Sequence, residues 1–169
     1  TELTNPQRQL ALALLLALTA VRLYFSLYNP EYDDAVSYEV FVSKGLLATS
    51  AYYPIPNNHV FSNTISLLFY QVNHGFWWSM RLPVFLISII TTIFLFTALL
   101  RQSNFRIATI TTMLFCWLQL SLYHAGVGRG YWLLILMAGI VFFCTLELTR
   151  KAGQLRAAWT GLMLAGVLG

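Results

Sequence analysis

The sequence predicts an all-α protein, a polytopic transmembrane helical bundle, and three observations carry that expectation. Of 169 residues, 58% are hydrophobic and only 9% are charged, whereas a soluble domain carries roughly a quarter charged residues to keep its surface wet. The apolar residues gather in runs close to the roughly 20 residues that a helix needs to cross about 30 Å of hydrocarbon. The few charges fall in short segments between those runs, as loops at a membrane surface do.

The first run, Leu10 to Tyr28, ends without a small-residue cleavage site and is followed by Asn29-Pro30-Glu31, so it reads as a retained span (about 10–28) and not as a signal peptide. Its one internal charge, Arg22, sits near the far end, where it can snorkel or turn into the protein interior. Further spans are predicted at about 82–100, 107–123 and 131–148. A last run begins at Ala157 and stops at Gly169, part-way through a span (157–169), so the chain is expected to be a fragment of a longer polypeptide.

Between the first and second spans lies a long segment, 29–79. Asp33-Asp34 open a stretch with Val36, Val40, Ser43 and Leu47 at helical spacing, which predicts a helix over about 34–49, with Asp33 as its cap and Asp34 favoured by the helix dipole. A turn, Tyr52-Tyr53-Pro54-Ile55-Pro56, precedes a second helix over about 57–72, capped by Asn57 or Asn58 and interrupted by Asn63, Thr64 and Ser66. Charge placement decides whether this second helix crosses. If it does not, Arg8, the Arg101/Arg106 loop and the Arg150/Lys151/Arg156 loop all share one side, the cytoplasmic one. If it does, Arg101 and Arg106 move opposite Arg8. The whole segment is therefore expected to be one extracytoplasmic loop carrying two membrane-surface helices. Trp77, Trp78, Tyr52 and Tyr53 suit the headgroup level, where plain anchoring accounts for them.

The formal net charge of +4 does not indicate nucleic acid, because the basic residues stand scattered at the ends of apolar runs and form no stripe. Cys116 and Cys144 lie inside apolar runs with no metal-ligand spacing, and read as small lipid- or core-facing residues.

Candidate chemistry gathers in the outer loop. Four of the six acidic residues, Glu31, Asp33, Asp34 and Glu39, follow the first span directly. A carboxylate at the membrane face can act as general base toward a hydroxyl or amine, or hold a metal; helix capping and solvation of a loop is the plain alternative. His59, with Asp33 and Asp34, offers donors for a divalent metal, Mg or Mn, at a spacing too loose to be specific. A hydrogen-bonded interface residue is the default for a lone histidine. Arg129, flanked by Gly128 and Gly130, is suited to bidentate phosphate contact. Arg81 precedes Leu82-Pro83. Two arginines on the outer face run against the positive-inside bias and point to a ligand or carboxylate partner, with snorkelling as the alternative.

Taken in order, an apolar helix, an acidic pair, an amphipathic helix, the patch Pro54-Ile55-Pro56-Asn57-Asn58-His59, then Arg81-Leu82-Pro83 and Arg129-Gly130-Tyr131 resemble the GT-C superfamily of membrane glycosyltransferases. The resemblance is to the clan of dolichyl-phosphate-mannose protein mannosyltransferases and bacterial lipid A aminoarabinose transferases, and it covers most of the chain. It implies a GT-C-like N-terminal module with juxtamembrane helices in the first outer loop, in a multi-pass protein of the plasma (inner) membrane. It also implies transfer of a sugar from a polyprenyl-phosphate donor to an acceptor on the extracytoplasmic face. Asp33 and Asp34 would then be the catalytic carboxylates. Arg129, Arg81, Tyr131 and Asn58 would bind substrate, and His59 would bind a metal or support the site. The clan's members continue through many more spans, so the module is expected to be inactive alone. Membrane lipid and other membrane proteins are the expected partners besides the donor. A non-catalytic membrane subunit on the same scaffold, or a lipid or solute transporter, are the alternatives; the latter calls for charges near mid-span, where only Arg22 comes close.

Overall fold

The computed structural model describes residues 3–28, 30–52, 54, 58–150 and 163, and every regular element among them is helical. Helix α1 (Asn5–Ser26) starts where Pro6 stands in the first turn, a position that needs no backbone N–H. The Thr4 N–H is taken up by Gln7 Oε1 at 3.0 Å. Its 22 residues extend about 33 Å.

The long loop segment departs from the two simple helices expected of it. Instead of one helix over 34–49, the chain winds as α2 (Tyr32–Val36), widens into a π turn (Ser37–Phe41) and tightens into a 3-10 turn (Val42–Lys44). It breaks at Gly45, whose φ of 91° suits glycine, and resumes as α3 (Leu46–Ser50). Glu31, not Asp33, occupies the N-cap position, and Asp33 and Asp34 lie in the first turn. Helix α4 (Val60–Val72) has 13 residues, about 20 Å, short of the hydrocarbon thickness. His59 is its N-cap residue. Asn58 does not cap it: its side-chain amide donates to Thr49 O and Tyr52 O, both at 3.0 Å, while its Oδ1 accepts from Asn63 Nδ2 at 2.9 Å. Asn58 thus staples the preceding turn to α4.

A π turn (Trp77–Arg81) runs directly into α5 (Leu82–Gln102). The run expected as the third span is two helices, α6 (Phe105–Trp117) and α7 (Gln119–Gly126), bent by 65° at Leu118, whose backbone is extended (φ −56°, ψ 138°). Helix α8 is Tyr131–Arg150. Three helical stretches, Asn5–Ser26, Trp77–Gln102 and Tyr131–Thr149, are long and apolar enough to cross a membrane, and α6 with α7 makes a fourth if the bent pair is one span. The run from Ala157 falls, but for Met163, outside the described residues.

Helix α5 lies at the centre, against α8, α6 and α1. Leu18, Val84, Cys116, Leu122, Ala125 and Trp132 form the core between these helices. Arg22 is inside it, fully buried: Nη1 donates to Ser88 O (2.9 Å), Ser88 Oγ (3.3 Å) and Thr92 Oγ1 (2.8 Å), and the guanidinium lies 4.2 Å from the centre of the Trp132 ring. One polar side chain thereby ties α1 to α5 and α8. A smaller cluster, Val42, Leu67 and Met80, seats the long loop segment on the start of α5.

The link between α7 and α8 threads the junction of these parts because alternate residues are glycine. A Cβ on Gly126 would lie 2.9 Å from the Phe25 carbonyl, one on Gly128 3.0 Å from Met80, and one on Gly130 3.0 Å from Ser62. Gly126→Ala should therefore destabilise the fold by about 1–3 kcal/mol, the usual range for overpacking. Gly139→Ala, where the nearest atom is the ring edge of Phe94 at 3.1 Å, should cost less. Thermal unfolding of the two variants in detergent checks the order.

Candidate functional site

The glycine-rich link delivers Arg129 to the end of the bundle that carries the long loop. There the last turn of α1, the first turn of α2, the start of α4, the π turn before α5, the end of α7 and the start of α8 converge. Three carboxylates meet two guanidiniums in that space.

Arg129 is nearly buried. Its Nη1 forms an ion pair with Asp33 Oδ2, and its Nη2 lies 2.7 Å from His59 Nε2. Arginine keeps all its protons, so His59 Nε2 is the acceptor and the imidazole is neutral. Burial, then the Arg129 charge, push the His59 imidazole below its usual range, against a smaller opposing pull from Asp33. The Tyr131 ring stands between two imidazoles, 4.1 Å from His124 and 5.8 Å from His59, with the Arg129 guanidinium 5.5 Å away.

Arg81 and Asp34 form the second pair, Nη2 to Oδ2 at 3.3 Å, with side chains 3% and 0% exposed. Arg81 Nη1 also donates to Ser26 O at 2.9 Å and to Tyr28 O. It thus closes the C-terminal end of α1, where carbonyls lack helical partners and a cation suits the dipole. Burial raises the Asp34 carboxyl above the usual carboxylate range, a rise that the Gly128 N–H and the Arg81 guanidinium oppose. The third carboxylate, Glu31, accepts a hydrogen bond from the Tyr123 hydroxyl.

Of the residues singled out in the sequence, Asp33, His59, Arg129 and Tyr131 come together. Asp34 and Arg81 are beside them but directed inward, and Asn58 lies beneath the loop. Asp33, 52% exposed, is the carboxylate of the pair that a ligand can reach. Sequence reasoning assigned no role to Tyr123 or His124, and read Glu31 only as one of the acidic group. The signal for the first two was their position at the end of an apolar run, directly before the glycine-rich link.

A groove of about 520 Å³ opens at His59, Gly130 and Tyr131 and runs between α4 and α8 past Leu133, Leu134 and Met137. His59 and Tyr131 stand at one end, and the walls between α4 and α8 are mostly apolar, with Ser62 and Thr64 on the α4 side. Among the described residues no three His, Cys, Asp or Glu side chains are placed to hold one metal ion, and Arg129 bridges Asp33 and His59. As arranged, these donors do not fit the divalent metal that the sequence suggested. No family model, curated protein or solved structure matches the chain.

Two outcomes follow. Removing one member of a buried ion pair leaves an uncompensated charge, so Arg81→Met should destabilise the fold by about 3–5 kcal/mol, and Arg81→Met/Asp34→Leu should recover much of that. Denaturation of single and double variants measures the recovery. For His59 the folded pKa lies below the free value of 6.5. Its contribution is therefore present above pH 6.5 and lost as pH falls through the lowered folded value. The thermal midpoint of the wild type should drop over that acidic window by more than that of His59→Gln.

Proposed function

We propose that this chain supplies the acceptor-activating end of a GT-C-type glycosyltransferase, which moves a sugar from a polyprenyl-phosphate donor to an acceptor at the extracytoplasmic face of the plasma (inner) membrane. The observation that carries the reading is the contact of Asp33 with Arg129, whose guanidinium also touches His59 on the lining of the α4–α8 groove. An amphipathic donor has the same polarity order as that groove: a charged phosphate, then an apolar chain. Its lipid tail stays in the bilayer, so the reacting phosphate sits at headgroup depth, where the ends of spans and juxtamembrane helices can reach it.

In this mechanism the donor phosphate takes the place of Asp33 on Arg129, and Asp33 becomes available to the acceptor. The acceptor oxygen attacks the anomeric carbon of the sugar and forms the new C–O bond. The bond from that carbon to the phosphate oxygen breaks, and its electron pair leaves on the phosphate, where Arg129 answers the added charge. The acceptor's proton passes to the Asp33 carboxylate. Asp34 and Arg81 position the first turn of α2 and do not touch the donor. His59 orients Arg129 through Nε2.

One observation favours a non-catalytic membrane subunit instead: both guanidiniums at this end already have carboxylate partners, as a purely structural network would. Transfer assays separate the two readings. With the full-length protein in membranes and a radiolabelled polyprenyl-phosphate sugar, Asp33→Asn should lower transfer by about a hundredfold or more. Arg129→Ala should lower it by about a hundred- to a thousandfold. Wild-type activity in both variants at matched expression would remove the site assignment, and donor left unconsumed by the wild type would favour the subunit reading.

A further inference from the structure

A second cavity, of about 290 Å³, lies on the α1–α7 side of the glycine-rich link and is lined by Phe25, Tyr28, Glu31, Arg81, Tyr123 and the link itself. Its volume is at the small end of ligand clefts, roughly 300–1,000 Å³, the size for one small head group. Three features decide what such a head group is.

Glu31 is the carboxylate left over. Asp33 faces Arg129 and Asp34 faces Arg81, while among the described residues Glu31 has only the Tyr123 hydroxyl. A carboxylate and a phenol on one wall recognise a group that donates hydrogen bonds. The Phe25 and Tyr28 rings are stacked, with centroids 5.9 Å apart and planes within 28° of parallel, a pair of near-parallel faces and not a cage around a cation. The Arg81 guanidinium on the floor also opposes an ammonium ligand. Aromatic rings and a carboxylate in one cavity match a hydroxylated ring, which offers C–H groups to the rings and O–H groups to Glu31.

We infer that this cavity is a binding site for a sugar-like, polyhydroxylated head group, held by Glu31 and Tyr123 against Phe25 and Tyr28. As a ring-binding cavity the site stands alone; as the acceptor's subsite it rests on the transfer reading above. In that role Glu31 is a positioning residue. It orients a hydroxyl on the side of the link opposite the donor groove, so that the two ligands approach from different faces.

Two measurements test it on the full-length protein in lipid nanodiscs. Saturation-transfer NMR with methyl glycosides, methyl α-mannoside and methyl β-glucoside as probes, should give signal on the wild type. Glu31→Gln and Tyr123→Phe, which change one polar atom each and should retain the wild-type elution profile, should lose most of that signal. Competition by ethanolamine but not by a free glycoside, signal that survives in both variants, or no signal on the wild type would each overturn the site. The second measurement compares transfer with donor retention. Both variants should raise the acceptor KM at least tenfold while retaining radiolabelled polyprenyl-phosphate sugar as the wild type does. Equal loss of donor retention would overturn the subsite role. If the glycoside signal behaves as expected but the wild type consumes no donor, the cavity stands and the transfer reading falls.

Discussion

Arg81 sits where the last turn of α1, the first turn of α2 and the entry to α5 meet, and the shape of the loop-bearing end depends on how its charge is answered. Through Nη1 it closes α1 by binding Ser26 O and Tyr28 O, and through Nη2 it holds Asp34. The chain cannot leave α1 in another direction without stranding a buried cation, an error of several kcal/mol. The π turn just before α5 is the local means: a wider turn re-aims the side chains of Trp77–Arg81. It also lets Trp77 Nε1 reach Ser26 Oγ at 3.1 Å. The same few atoms therefore end one helix, begin the next and fix the long loop segment between them.

Asp34 passes the constraint onward. The Gly128 N–H faces its carboxylate, so the α7–α8 link is positioned by the pair that positions α2. The link can come that close only because Gly126, Gly128 and Gly130 have no side chains to meet Phe25, Met80 and Ser62. Arg129, held between two of those glycines, then has little choice of direction and meets Asp33 and His59. Deeper in the bundle Arg22 does comparable work without a carboxylate, answered by the Ser88 carbonyl, two hydroxyls and the Trp132 face. Ser88 and Thr92, one turn apart on α5, thereby become part of the packing of α1.

The helices were legible in the sequence because apolar runs of span length admit few other outcomes. The bend at Leu118 was not, since Trp117-Leu118-Gln119 contains neither proline nor glycine and the apolar run continues through it. The break at Gly45 was visible as a glycine inside a helical pattern, but helical spacing on either side concealed it. Asn58 had the composition of a cap and became a staple, because Asn63 one turn into α4 offered its side chain a better partner than the backbone did. The candidate site was legible as a set of unusual residues and illegible as pairs. Asp34 with Arg81 and Asp33 with Arg129 are separated by 47 and 96 positions, and only the packed bundle decides which arginine meets which aspartate.

That decision turns on helix geometry. Successive residues of a helix point about 100° apart, so an Asp-Asp dipeptide in a first turn cannot send both carboxylates the same way. Asp34 turns into the core and is fully buried; Asp33 turns toward the opening and stays half exposed. The buried carboxylate anchors the turn, and its neighbour holds Arg129 from the accessible side. The tandem acid thus gives this end of the bundle one buried carboxylate and one half-exposed carboxylate from the same turn.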